Sequence, residues 1–274
     1  MNLIFYYLAA FVYAFGAVSH LIYVVSLRDL FSKIGVGFLS VGFILHTTAL
    51  IFRYYEAGYL PITNLYESFS FFSWAILLVY LVVHYKYQIR VLGAFVAPVA
   101  LILVVVGLAL PKEIFPLHPA LKSFWLPFHA ILAFLGNAVF ALAFCTGIMY
   151  LIQEHQIKSK KTGVFLRRLP SLKILDELNY RSLTFGFPLL TVGIITGSVW
   201  ASYAWGSYWS WDPKETWSLI TWFLYAALLH QRLAIGWRGK KAAMMAIVGF
   251  LAVLFTFLGV NLVLSGLHSY AKWR

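Results

Sequence analysis

Apolar residues run through this chain in long unbroken stretches, each closed by a short polar or basic tract. A helix that crosses hydrocarbon needs about 20 such residues. Eight stretches qualify, at about 3–25, 34–52, 68–85, 91–110, 128–152, 183–200, 216–235 and 243–266. A membrane barrel would instead alternate apolar and polar positions in segments of about ten. The pattern therefore predicts an all-α fold: a polytopic membrane helix bundle of about eight transmembrane helices, forming a single domain over 1–274. Pro98 interrupts the fourth stretch and predicts a kink there.

Composition agrees with that pattern. The 274 residues are 62% hydrophobic and 11% charged, and mean hydropathy is +0.83. A soluble domain carries about 25% charged residues, so soluble enzymes, disordered tails and disulfide-stapled modules are excluded. The net charge of +12 raises the question of nucleic acid. Lys and Arg, however, cluster in the tracts between apolar runs, where the positive-inside rule puts them. One set of loops carries 15 of the 21 basic residues and the opposite set 6, which predicts both termini on the outer side. The longest inner loop is expected at 153–182, with a short surface helix around 171–180. The N-terminus lacks the basic region of a cleaved signal and reads as a retained first helix. Cys145 is the single cysteine, so no disulfide or thiolate metal site can form within the chain.

Two outer loops end in helix-start signals. Asn64 and Glu67 can act as N-cap and N3, as can Asp212 and Glu215 around Pro213. Six of the ten tryptophans lie between 200 and 222. Interfacial placement explains any one of them. It explains less well why Trp205, Trp209, Trp211 and Tyr208 crowd with Gly206 into an external loop, expected at 201–215. A flat aromatic shelf of that kind suits a large planar ligand.

The eight histidines narrow the ligand. His20, His84 and His155 fall near inner helix ends and His118 lies beside Pro119, so these four read as structural. His129 opens the fifth stretch and His268 follows the eighth, both at the depth of the tryptophan loop. Two imidazoles flanking an aromatic shelf are what axial ligation of a haem requires, one on each face. His230 lies about 13 residues into the seventh stretch, roughly 20 Å along it, where an unpaired imidazole is costly. His46 is the other membrane histidine, with Arg53 two turns further out. A respiratory cytochrome b would pair histidines about 13 or 14 residues apart on one helix, and that spacing is absent.

The run WGSYWSWDPKETWSLITW (205–222) with YAALLHQR (225–232) resembles the tryptophan-rich WWD signature of the CcsA family, called ResC in some bacteria. The likeness extends to LHTTALIFRYYEAGYLPITNLYES (45–68), the His129 region and the C-terminal GLHSY. It implies System II cytochrome c biogenesis: haem b taken from the cytoplasmic side of the inner membrane and presented outside to an apocytochrome c bearing CxxCH. On that likeness the chain is the CcsA half of a holocytochrome c synthase, acting with a CcsB-type membrane subunit and a thiol-reducing partner. His129 and His268 match the family's external haem ligands, and His230 its membrane histidine. The second ligand to His230 is expected from CcsB, with His46 the alternative within this chain. Trp205, Trp209, Trp211 and Asp212 form the expected haem platform, with Tyr208 and Gly206 beside them. Lys214, Lys122 and Arg53 are candidate propionate partners. Two other readings stay open at this stage: a haem exporter or chaperone without ligase activity, and a b-type membrane electron carrier.

Overall fold

The computed structural model of the chain describes residues 1–26, 28–160, 163 and 168–260. Among them are eight α-helices: α1 (Asn2–Ser26), α2 (Asp29–Ala57), α3 (Leu65–Tyr87), α4 (Gly93–Ala109), α5 (Trp125–Lys158), α6 (Leu172–Trp205), α7 (Pro213–His230) and α8 (Lys240–Leu254). A 3-10 turn, Arg90–Leu92, leads into α4, and π-helical turns follow α7 at Gln231–Ile235 and α8 at Phe255–Gly259. The fold is the expected helical membrane bundle.

Seven of these helices, counting the short turns joined to α4 and α8, are long and apolar enough to span a membrane. The stretch expected at 216–235 differs. It forms α7, only 18 residues long, and Lys214, Glu215, Ser218, Thr221 and His230 along it dilute its apolar character. The surface helix expected at 171–180 is also not separate. Leu175, Leu178, Ser182 and Gly186 make a buried stripe at helical spacing, so α6 continues without a break from Leu172 to Trp205. With α5 running on to Lys158 and α6 starting at Leu172, both ends of the expected 153–182 loop are helical. Pro98 lies inside α4 without ending it.

The chain divides into two units. The first comprises Met1–Phe115 and Leu151–Leu172 and holds α1 to α4. Its interior is polar as well as aromatic. His46 is fully buried on α2, with Nδ1 3.2 Å from the Tyr13 hydroxyl and Nε2 2.8 Å from Ser70 Oγ. Arg53 and Glu67 form a buried ion pair at 2.9 Å. Arg53 also donates to the carbonyls of Lys112 (2.7 Å) and Glu113 (3.2 Å), tying α2 to the segment after α4. Asn64 caps α3 by accepting from Glu67 N–H. The Glu67 carboxylate reaches back one residue beyond the usual box, to Thr63 N–H and Oγ.

The second unit comprises Pro116–Tyr150 and the described residues from Lys173 on, holding most of α5 together with α6, α7 and α8. Small residues let α5 and α6 approach backbone to backbone: a Cβ on Gly193 would lie 3.1 Å from Ala133 N. Phe140 on α5 stacks on Tyr225 of α7 at 3.6 Å. Asp176 gathers one end of the unit, accepting from Arg232 (2.6 and 3.0 Å) and from Gly239 N–H (2.8 Å). That clamp joins the start of α6 to the segment between α7 and α8.

Candidate functional site

A pocket opens in the second unit among α5, α6, α7 and α8. Helix α5 contributes His129, Ala133 and Asn137, four residues apart and therefore on one face. Helix α6 lines it with Gly193, Gly197 and Ser198, and the loop after α6 adds Tyr208 and Trp209. The polar side of α7, with Lys214, Glu215, Ser218 and Thr221, meets Thr256 across the pocket; Thr221 and Thr256 hydroxyls are 3.2 Å apart. The enclosed space is about 130 Å³, below the roughly 300–1,000 Å³ of pockets that swallow a whole ligand.

His129 lies at the wall of this pocket with its ring orientation fixed by the backbone of α6. Its Nδ1 lies 2.7 Å from the Gly193 carbonyl. A carbonyl can only accept, so Nδ1 carries the proton and the lone pair resides on Nε2. Fixing the tautomer through the other ring nitrogen is the usual arrangement of a metal-binding histidine. Gly197 makes room for the ring: a Cβ there would fall 2.5 Å from Nδ1. Trp200 stacks on the imidazole with centroids 6.0 Å apart and planes at 15°, and its own Nε1 donates to the Ala120 carbonyl at 3.0 Å.

The tryptophan loop spans only the residues between Trp205 and Pro213, because α6 and α7 take the rest of 201–215. Two residues carry positive φ, Gly206 (78°) and Trp211 (58°). Left-handed backbone is free for glycine and strained for tryptophan. The aromatic rings form edge-on pairs rather than one flat shelf: Trp205 against Trp200 (4.9 Å, 74°) and Trp211 against Trp209 (5.8 Å, 88°). Asp212 caps α7 in the box read from the sequence, accepting from Lys214 N–H at 3.0 Å while Glu215 reaches back to Asp212 N–H at 3.3 Å.

The family described as cytochrome C assembly protein matches residues 62–268. This chain belongs to that family. Among curated relatives, the cytochrome c biogenesis protein CcsA of Guillardia theta is 41% identical over 256 residues, 86% of this chain and 85% of the relative. CcsA of Microcystis aeruginosa is 40% identical over 266 residues, covering 80% of this chain and 81% of its own length. The fold is shared with a solved structure, the cytochrome c haem lyase CcmF, at TM-score 0.69 and 18% identity. That match covers 94% of this chain and 46% of the larger one. The resemblance read from the tryptophan motif thus stands: this is a multi-pass membrane protein of cytochrome c biogenesis.

Within this CcsA-family chain, the residues singled out by sequence separate into distinct places. His129, Tyr208, Trp209 and Lys214 line the pocket. Trp211 pairs with the pocket-lining Trp209 and Trp205 with Trp200 outside the lining, Asp212 works as the helix cap, and Gly206 is the left-handed turn leaving α6. His268 lies outside the described residues. His230 is exposed on the last turn of α7 and does not line the pocket. Arg232, just beyond α7, is engaged by Asp176 and lies 4.6 Å over the Tyr180 ring. His46 and Arg53 belong to the first unit, where other side chains and carbonyls occupy them. Sequence reasoning passed over Trp200, Gly193, Gly197 and Asn137. The first begins the tryptophan run, the two glycines are spaced i, i+4, and Asn137 follows His129 by two turns. Those spacings were the available signal.

Proposed function

We propose that this chain moves haem b across the cytoplasmic (inner) membrane and presents it on the outer face, over the tryptophan loop, for attachment to the CxxCH of an apocytochrome c. It does so as the CcsA half of a holocytochrome c synthase, with a CcsB-type membrane subunit as partner. The observation that supports this reading is His129: its Nδ1 proton goes to Gly193, its Nε2 has the electron pair an iron needs, and its pocket borders the tryptophan loop. His268 is the proposed ligand on the opposite face. Lys214, on the pocket rim, is the proposed propionate partner. His230 is proposed as a deeper position on the entry route, its second ligand coming from the partner subunit, since both ring nitrogens of His46 meet in-chain hydroxyls.

Here haem is the substrate. Each cysteine S–H adds across a vinyl C=C; sulfur bonds to the vinyl carbon next to the ring and the thiol hydrogen goes to the terminal carbon. The vinyl π bond is consumed and no oxidant enters. The cysteines must arrive reduced, which gives a thiol-reducing partner its place. This chain's contribution is holding the macrocycle still, and well-oriented reactants gain effective molarities of about 10⁵–10⁸ M.

The test is co-expression with a CcsB partner and a CxxCH reporter. A synthase yields covalent c-type haem on the reporter. A carrier or exporter yields only b-type haem that co-purifies with the membrane protein, and that result would sink the synthase reading. For the route, a His230→Gly variant should fold and receive little haem at the outer position. Normal outer loading in that variant would mean that haem arrives by another path.

A further inference from the structure

The loop between α6 and α7 is fastened through its backbone rather than by packing. Trp211 is 69% exposed and Tyr208 66% exposed, so burial does not hold them. Side chains bind the main chain instead. Ser198 on α6 donates to the Tyr208 carbonyl at 2.6 Å, Ser207 to that of Trp209 at 2.9 Å, and Thr216 on α7 to that of Trp211 at 3.3 Å. Glu215 gathers the donors. One oxygen accepts from Ser210 N–H at 2.8 Å and from Asp212 N–H at 3.3 Å, and both lie within 3.1–3.2 Å of Ser210 Oγ. The two amides flank Trp211, the residue forced to positive φ.

We propose that Glu215 is a positioning residue for the haem platform: its buried carboxylate pins Ser210 and Asp212, holds Trp211 in its strained turn and keeps Trp209 at the pocket wall. A carboxylate suits the task because it only accepts, and three donors converge on it. Bonds to a charged acceptor are also stronger than neutral ones. Glutamine at this position would bring its own N–H groups against a cluster of donors. The strain at Trp211 is then stored at the site and offset by the clamp. For its ligand this proposal rests on the haem-platform reading; the clamp itself is testable without haem.

The experiment uses the purified full-length chain and two readouts. Hydrogen exchange of the 206–212 peptide reports the clamp directly. In Glu215→Gln it should run on the order of tenfold faster, with exchange in α5 and α8 unchanged. Ser210→Ala, which keeps the Ser210 amide bond, should give a smaller increase. Titration with haemin should show affinity weakened on the order of tenfold in Glu215→Gln, with the same Soret maximum at saturation because the axial ligand is untouched. Wild-type exchange in a folded Glu215→Gln overturns the proposal. So does a loosened loop with unchanged haemin affinity, and so does an altered saturated spectrum, which would put Glu215 at the iron. If Glu215→Gln fails to accumulate, wild-type exchange in Ser210→Ala overturns it equally. Should the wild-type chain bind no haemin, the platform reading falls, while the exchange data still decide whether Glu215 clamps the loop.

Discussion

His46 and His129 are both membrane-helix histidines, yet the two units use them in opposite ways. In the first unit, His46 is fully buried and each ring nitrogen meets a hydroxyl, Tyr13 at 3.2 Å and Ser70 at 2.8 Å. Arg53 and Glu67 repeat that logic, a buried pair whose remaining donors and acceptors are taken by carbonyls and Thr63. In the second unit, a backbone carbonyl sets the protonation of His129 while its ring lines a pocket. The difference teaches how to sort intramembrane histidines. A buried polar ring is costly, and hydrogen bonds to two hydroxyls answer that cost for His46, whereas His129 gives its Nδ1 proton to a carbonyl at the wall of a cavity.

The comparison can be broken at several points. The largest expected effect is on stability in the first unit. Arg53→Ala leaves Glu67 buried and unpaired, which costs about 3–5 kcal/mol. Thermal unfolding in detergent should show that loss, with haem per folded chain unchanged; haem loss without destabilisation would mean that Arg53 serves the ligand. His129→Gly should do the reverse. Haem retention and cytochrome c formation should fall at least about tenfold, the scale on which even outer-shell partners of a metal act, and added imidazole should restore part of both. An unchanged haem content would remove His129 from the site.

A subtler change sharpens the geometry. Gly197→Ala places a Cβ about 2.5 Å from the His129 ring, so the ring must shift while the helix remains. Haem affinity should drop on the order of tenfold with little change in unfolding temperature. An equal loss of both would show that the contact serves packing alone. The smallest effects belong to the tryptophans. Single alanine replacements of Trp205, Trp209 or Trp211 should each weaken haem binding by about 0.5–1.5 kcal/mol, more than they weaken folding. Loss of membrane accumulation in step with haem would support an interfacial belt instead.

Much of this arrangement was legible from residue order. Continuous apolar runs fixed the helical class, and the Asp212–Glu215 box appears as read because capping depends on residues three apart. The shortfall of α7 and the merging of the surface helix into α6 were not foreseen. The first follows from the short length of α7 and the polar residues along it, and the second from which face of α6 is buried, which depends on neighbours distant in sequence. Trp200 was passed over for the same reason, since its stacking on His129 joins residues 71 apart, on α6 and α5.

Sequence by itself determined the membrane bundle, the helix starts, the tryptophan loop and the set of histidines worth weighing. These rest on local chemistry: hydropathy along a helix, caps within one turn, and a motif read in order. Tertiary structure alone decided which groups His46 and His129 bond to. The same imidazole is a buried core group beside Tyr13 and Ser70, and a pocket-wall group with its Nδ1 proton on the Gly193 carbonyl, because hydrogen bonding is set by partners 24 to 64 residues away. It also decided that Glu215, a helix cap by sequence, holds the loop in place, because Ser210 reaches its carboxylate only once the chain turns back through the left-handed Trp211.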